Sequence, residues 1–126
     1  MMVYTIIVGN RSYDLPKKTL EVTEQMEKVI ETDKAVGIGI REKFNTVFSY
    51  EKDVLGSDAV KEILGSDNLD EVDLSEVTIL FNKIHDAYNK PITDYKLSKS
   101  REALNALPID KVVELAKAAN ELPQNK

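Results

Sequence analysis

The sequence contains no cysteine, no tryptophan and a single histidine, His85. Without cysteine the chain can form neither a disulfide framework nor a thiolate metal site, a composition typical of a reducing cytoplasm. Any base–nucleophile pair or imidazole metal cluster would have to be built on His85 alone. Three phenylalanines and no tryptophan offer few rings for stacking nucleic-acid bases. These absences disfavour histidine-based catalysis, thiolate metal sites and nucleic-acid binding.

The chain also lacks an excess of basic residues and a long apolar run. It has 22 acidic against 17 basic residues and a formal net charge of −5, so its average field repels nucleic acid and anionic membranes. The apolar run at residues 3–8 is too short to span a bilayer, and no basic segment precedes it as in a secretory signal. We therefore expect a cytoplasmic protein that binds basic or neutral proteins, and neither nucleic acid nor a membrane.

An N-terminal run of β-branched and aromatic residues predicts a β-hairpin over about residues 3–15. The first strand covers residues 3–8, turn residues follow at 9–12, and the return strand at 13–15 ends before Pro16. Both faces of the first strand are apolar. Because an isolated hairpin is marginally stable, one face must pack on helices and the other can contact another chain. The candidate protein-contact residues are the apolar ones of both faces: Val3, Tyr4, Ile6, Ile7 and Val8.

The helix around which the chain is organised is predicted at residues 74–89. Its apolar residues recur at i, i+3, i+4 and i+7 and form one stripe: Val77, Leu80, Phe81, Ile84 and Tyr88. We expect Asp73 or Ser75 to cap its N-terminus and Pro91 to end it, because proline disfavours helical geometry at the residue before it.

Helical spacing elsewhere predicts about five helices in all, over about residues 17–122. The further segments are 17–32, a stripe capped by Asp33 and running to Leu55, a short helix at 59–64, a turn and short helix at 91–107, and a last helix at 108–122. Gly56 and Gly65 are expected to end helices, and residues 123–126 to fray. The chain is thus predicted to be one domain over residues 1–126, of the α+β class and predominantly helical, with the hairpin packed on a helical bundle. Its predicted core includes Val29, Phe44, Val47, Leu80, Phe81, Ile84, Val112 and Val113.

Two segments resemble ligand loops, but neither meets its motif. An EF-hand counted from Asp67 would need glycine and glutamate where Val72 and Thr78 stand, so we interpret the acidic residues 67–76 as a solvated loop that caps a helix. The pair Gly37 and Gly39 lacks the third glycine of a dinucleotide loop and is interpreted as a loose helix start or hinge. We therefore predict no catalytic residue, no cofactor and no metal ligand, and interpret the chain as a non-enzyme.

The opening TIIVGNRSYDLPKKT, followed by an acidic, cysteine-free and mostly helical remainder, resembles the small tail assembly chaperones of long-tailed phages and prophages of Gram-positive bacteria. The resemblance spans most of the chain and identifies no functional residue. It implies a non-enzymatic factor of the bacterial host cytoplasm. Such a factor keeps the helical tape measure protein soluble and helps to recruit tail tube subunits around it, alone or as a homo-oligomer.

Two other functions fit the same pattern of elements. The first is a phage structural or head–tail connector subunit whose hairpin adds to a neighbour's sheet in a ring. The second is a small regulatory or interaction domain. A chaperone is absent from finished particles and a connector is present in them, so particle composition separates the first two functions.

Overall fold

The computed structural model describes residues 2–106 of the chain, and the side chains of residues 2–104. The elements in chain order are β1 (Tyr4–Val8), β2 (Arg11–Leu15), α1 (Leu20–Lys34), α2 (Ile40–Leu55), α3 (Ser57–Leu64), a 3₁₀ turn (Leu69–Glu71) and α4 (Leu74–Ala106). The α+β class, predominantly helical with an N-terminal hairpin, is confirmed. The described residues contain four α-helices where five predicted helical segments fall, because the predicted boundary at Pro91 is absent.

The contacts divide the chain into two units, Met1–Asn89 and Lys90–Lys126, and the hairpin and the core belong to the first. This division does not test the prediction that residues 1–126 form a single domain, which therefore stays a prediction. The predicted helix at 108–122, the predicted core residues Val112 and Val113 and the tail at 123–126 lie outside the described residues.

The hairpin is antiparallel and tight. Tyr4 pairs with Leu15 and Val8 with Arg11, so Gly9 and Asn10 alone form the turn. Gly9 has a φ of +62°, the left-handed value that glycine supplies at the first central position of a two-residue hairpin turn. Because this turn needs two residues rather than four, the return strand begins at Arg11, two residues before its predicted start.

The connection between α1 and α2 differs from the prediction. Thr19 caps α1, its hydroxyl accepting the Val22 N–H at 3.2 Å, and the helix runs on to Lys34, so Asp33 lies inside it and caps nothing. Gly37 has a φ of +88°, and α2 begins only after Gly39. The loose helix start at Gly37 and Gly39 was therefore predicted, but the predicted stripe from Asp33 to Leu55 does not form one continuous helix.

A glycine ends α3 and an aspartate caps α4, as the sequence predicts. Gly65 ends α3 in the left-handed conformation, as predicted. Asn68 then caps the 3₁₀ turn by accepting the Asp70 N–H. The Asp73 carboxylate accepts the N–H groups of Ser75 and Glu76 at 2.8 and 3.2 Å, which confirms it as the cap of α4. The acidic segment therefore does cap a helix.

Pro91 lies inside α4 and does not end it, so the predicted stop at residue 89 and the separate short helix at 91–107 are wrong. Proline lacks an N–H and obstructs the preceding turn, which deprives carbonyls there of helical partners. In this chain Lys18 Nζ donates to the Tyr88 carbonyl at 3.3 Å and to Asn89 Oδ1 at 3.5 Å. The carbonyl that loses its helical N–H partner is that of Ala87, four residues before Pro91, so Lys18 contacts the carbonyl next to it.

The core of the first unit is built on the predicted stripe of α4. Four of its five residues are at most 2% exposed, namely Val77, Leu80, Ile84 and Tyr88. The other buried apolar residues come from every other strand and α-helix of this unit: Tyr4, Ile6, Leu15, Met26, Val29, Phe48, Tyr50, Val54, Val60 and Leu64. Of the predicted core, Val29, Leu80 and Ile84 are buried, while Phe44, Val47 and Phe81 are half-buried against it.

Candidate protein-contact surfaces

The hairpin separates the five candidate contact residues into two sets. Tyr4 and Ile6 are 8% and 3% exposed, and Val8 is half-buried beside them. The ring of Tyr4 lies 4.9 Å from the ring of Tyr88, centroid to centroid. These residues therefore attach the hairpin to α4 and are not free to contact a partner. Val3 and Ile7 remain, at 75% and 64% exposure.

The outer face of the hairpin comprises Val3, which directly precedes β1, Thr5 and Ile7 on β1, and Ser12 and Asp14 on β2. The Thr5 hydroxyl donates to the Asp14 carboxylate at 3.2 Å, and Ser12 lies opposite Ile7. The face therefore presents two exposed apolar side chains, Val3 and Ile7, among polar ones.

Polar contacts hold both ends of this hairpin. At its base the Tyr88 hydroxyl donates to the Pro16 carbonyl at 2.8 Å. Near the turn, Glu62 of α3 accepts from the Tyr13 hydroxyl and pairs with Arg11 at 2.7 Å. The hydrogen bond from Tyr13 and then the bond from Arg11 hold the pKa of the Glu62 carboxyl below its usual range. The outer face is therefore presented on a pre-organised support, which reduces the entropy lost when a partner binds.

The free edge of β1 is closed at one position. Val8 and Arg11 flank the two-residue turn and exchange backbone hydrogen bonds with each other. The carbonyl of Ile7, one residue further from the turn, therefore points away from β2. Lys83 Nζ donates to that carbonyl at 3.0 Å. Lys83 lies on α4, so a helix side chain covers this part of the edge, which is one of the ways in which proteins protect exposed strand edges.

A second apolar surface, which the sequence did not indicate, lies where α1, α2 and the start of α4 meet. We call it the Phe44 groove because Phe44 lines both of its hollows. The first hollow, of about 230 Å³, is lined mainly by Val29, Ile30, Val47 and Phe81. The second, of about 290 Å³, is lined mainly by Ile40, Leu69, Val72 and Leu74. Of these, Ile40 and Leu74 are exposed, at 68% and 38%.

Four charged residues line the Phe44 groove, two acidic and two basic: Asp33, Asp70, Arg41 and Lys43. Arg41 pairs with Asp70 at 2.7 Å, and Lys43 Nζ donates to the Asp33 backbone carbonyl at 2.8 Å. The pairing with Arg41 lowers the pKa of the Asp70 carboxyl. Residues 67–76 supply three apolar wall residues and five carboxylates, of which Asp70 lines the second hollow. The charges that line the groove therefore balance.

Glu51 of α2 is completely buried, and neither of its carboxylate oxygens has a hydrogen-bond partner among the described residues. Burial alone raises the pKa of this carboxyl from 4.5 to about 9. The neighbouring Tyr50 hydroxyl is also buried and unpartnered within residues 2–104, and burial raises its pKa too. Glu51 stands three residues after the buried Phe48 and four before Leu55, so its position on the apolar stripe was a signal available in the sequence.

The only histidine of the chain lies beside the Phe44 groove, with its ring 6.1 Å from the ring of Phe81, centroid to centroid. His85 is half-buried on α4, and its Nδ1 atom is 3.8 Å from the Asp86 carboxylate. Asn89 is its other polar neighbour, with Nδ2 3.2 Å from Nε2. Across the described residues, no three histidine, cysteine, aspartate or glutamate side chains are grouped so that they could hold a metal ion.

Residues 2–106 include no helix with both the length and the apolar character needed to cross a bilayer. Comparison of the whole chain with family models, with curated proteins and with solved structures found no match.

Proposed function

We propose that this chain is a phage or prophage tail assembly chaperone, a non-enzymatic protein of the bacterial host cytoplasm that binds the tape measure protein and helps the tail tube to assemble. The observation that carries the proposal is the outer face of the hairpin, where Val3 and Ile7 are exposed on a firmly anchored strand pair. It supports the proposal together with the resemblance of residues 5–19 and of the acidic helical remainder to that family.

A holding chaperone needs exposed apolar surface that binds a helical client without binding it permanently. The outer face is small, so the affinity it provides is modest and mainly hydrophobic. Such a contact is weakened little by salt, because its energy comes from apolar burial rather than from charge pairs. The net charge of −5 keeps the loaded complex soluble by mutual repulsion.

The test is co-expression with the longest predicted helical open reading frame downstream in the native gene cluster. We expect that protein to be soluble only in the presence of this chain and to elute with it in gel filtration. The variants Val3→Ser and Ile7→Ser should reduce the soluble fraction together with the recovered complex. The control is Leu20→Ser, because Leu20 is as exposed as Val3, at 75%, but lies at the start of α1.

Equal solubility of the candidate client with and without this chain, and no complex in gel filtration, would refute the chaperone function. Recovery of the chain in finished particles would instead establish the connector function.

A further inference from the structure

We infer that two copies of this chain associate through the free edge of β1, where the two β1 strands pair antiparallel about Thr5. The contact joins two hairpins into one four-stranded sheet. It goes beyond the proposed function and does not depend on it.

The free edge of β1 carries backbone groups that have no partner strand. Thr5 and Ile7 lie in the pairs that do not exchange hydrogen bonds with β2, so their N–H and C=O groups point outward. Within residues 2–106 no third strand joins the hairpin. Lys83 Nζ donates to the Ile7 carbonyl, but that oxygen keeps a second lone pair. An edge of this kind is a template for pairing with another chain.

The order of residues along β1 matches the strand to a second copy of itself. When Thr5 lies opposite Thr5 of the second copy, Val3 of each chain faces Ile7 of the other. Both of these apolar pairs lie on the outer face, where Val3 and Ile7 are 75% and 64% exposed. Apolar cross-strand pairs stabilise antiparallel sheets. The contact is two-fold symmetric, so it closes at two copies.

Charge also favours a second copy at this edge. Residues 1–10 contain no charged side chain, so the rest of the chain carries the whole net charge of −5. Two copies can therefore pair here without placing like charges opposite each other, although they repel elsewhere. A helical client cannot use the edge in this way, because a helix already bonds its own backbone groups internally.

Pairing enlarges the outer face of the hairpin. It brings together Val3 and Ile7 of two copies, so four exposed apolar side chains lie on one sheet where a single hairpin offers two. The contact between two five-residue strands is small, so we expect a weak dimer whose population rises with protein concentration.

The first test is a disulfide cross-link, because the chain has no cysteine of its own. Directly opposed residues of a hydrogen-bonded antiparallel pair have Cα atoms about 5.5 Å apart, which a disulfide can span. With oxidised glutathione as the oxidant, Thr5→Cys should form a covalent dimer. The control is Asp14→Cys, an exposed position opposite Thr5 on the other strand, which should stay largely monomeric. Equal cross-linking of the two variants overturns the inference.

The second test is sedimentation equilibrium over a range of concentrations, in which the natural chain should shift from the mass of one chain towards that of two. Thr5→Pro removes an outward N–H and none of the bonds to β2, so it should lower the association constant about tenfold or more. Asp14→Pro places the same ring in the same cross-strand pair but on the far edge, and should associate like the natural chain. Both variants lose the hydrogen bond between Thr5 and Asp14, so that loss cancels.

Circular dichroism shows whether the proline variants fold, and if neither does, the cross-link decides. Lys83→Met releases the Ile7 carbonyl and should leave the association constant unchanged or raise it, whereas a lower constant overturns the inference because the lysine is then part of the contact. A natural chain that stays monomeric at every concentration, or that forms trimers or larger rings, overturns it too. None of these measurements includes the tape measure protein, so the chaperone function is decided separately by co-expression.

Discussion

Because Glu51 is buried without a partner, the stability of the protein should fall as the pH rises through neutrality. Below pH 4.5 the carboxyl is protonated in both the folded and the unfolded chain and carries no ionisation penalty. Between pH 4.5 and about 9 the unfolded chain releases this proton and the folded chain retains it. The unfolded state is therefore favoured progressively as the pH rises, and the decline ends once the folded protein also ionises.

The size of the effect follows from the two pKa values. Each pH unit between them lowers the free energy of unfolding by about 1.4 kcal/mol, so the loss between pH 5 and pH 8 is about 4 kcal/mol. Domains of this size are stable by roughly 5 to 15 kcal/mol in all, so the change is a large fraction of the total.

The assay is urea unfolding, followed by circular dichroism, of the natural chain and of Glu51→Gln at several pH values from 5 to 8. The amide does not ionise, so the difference in unfolding free energy between the two proteins should grow with pH by about 4 kcal/mol over this interval. Taking the difference removes the contribution of His85 and of the surface carboxylates. The m-value should stay constant if both proteins unfold in two states.

Two further variants complete the experiment. Glu51→Leu removes both unpaired carboxylate oxygens and introduces no polar atom at this position, so it should be more stable than Glu51→Gln at every pH. Glu27→Gln changes an exposed glutamate of α1 and should follow the profile of the natural chain. Parallel profiles for the natural chain and Glu51→Gln would refute the reasoning, since they would mean that Glu51 has the same pKa in the folded and unfolded chains.

Five other outcomes are expected. Ile84→Ala should lower the free energy of unfolding by about 2 to 5 kcal/mol, because Ile84 is fully buried. Phe81→Ala should lower it by about 3 kcal/mol or less, because the ring of Phe81 is only half-buried. Urea unfolding measures both. Tyr88→Phe removes the hydroxyl that donates to a backbone carbonyl at the base of the hairpin and should lower it by about 1 kcal/mol. Asp73→Ala should cost about 1 kcal/mol through the loss of the α4 cap, and no change in the urea midpoint would remove that role. Calorimetry with calcium, magnesium and ATP should give no heat of binding, and micromolar binding of any of them would contradict the non-enzymatic interpretation.

Local patterns predicted the elements of the first unit well where one rule applied alone. The predicted stripe on α4 contains four of the most buried residues of the core. Asp73 was correctly predicted as the cap of this helix. The alternation of residues in β1 correctly separated the two faces of the strand. The rule failed at Pro91, which was expected to stop α4. That rule describes a preference of the residue before proline, and α4 nevertheless runs through Pro91 to Ala106.

The contact surfaces could be predicted only in part, for a different reason. The Phe44 groove is assembled from α1, α2, α4 and the loop before α4, and each contributes residues that on their own look like ordinary members of an apolar stripe. Half-burial of Phe44 and Phe81 is a property of how the helices meet, and no periodicity within one helix specifies it.

The choice between the two faces of β1 shows how packing turns an ambiguous sequence into a defined surface. Tyr4 and Ile6 on one face and Val3 and Ile7 on the other are equally apolar, so alternation alone could not say which pair is buried. In the fold the ring of Tyr4 packs against the ring of Tyr88 in the core, and a shift of register by one residue would expose both Tyr4 and Ile6. Lys83 engages one carbonyl, that of Ile7, on the free edge of β1. The hairpin therefore leaves Val3 and Ile7 for a partner under either proposal, and the composition of finished particles separates the chaperone from the connector.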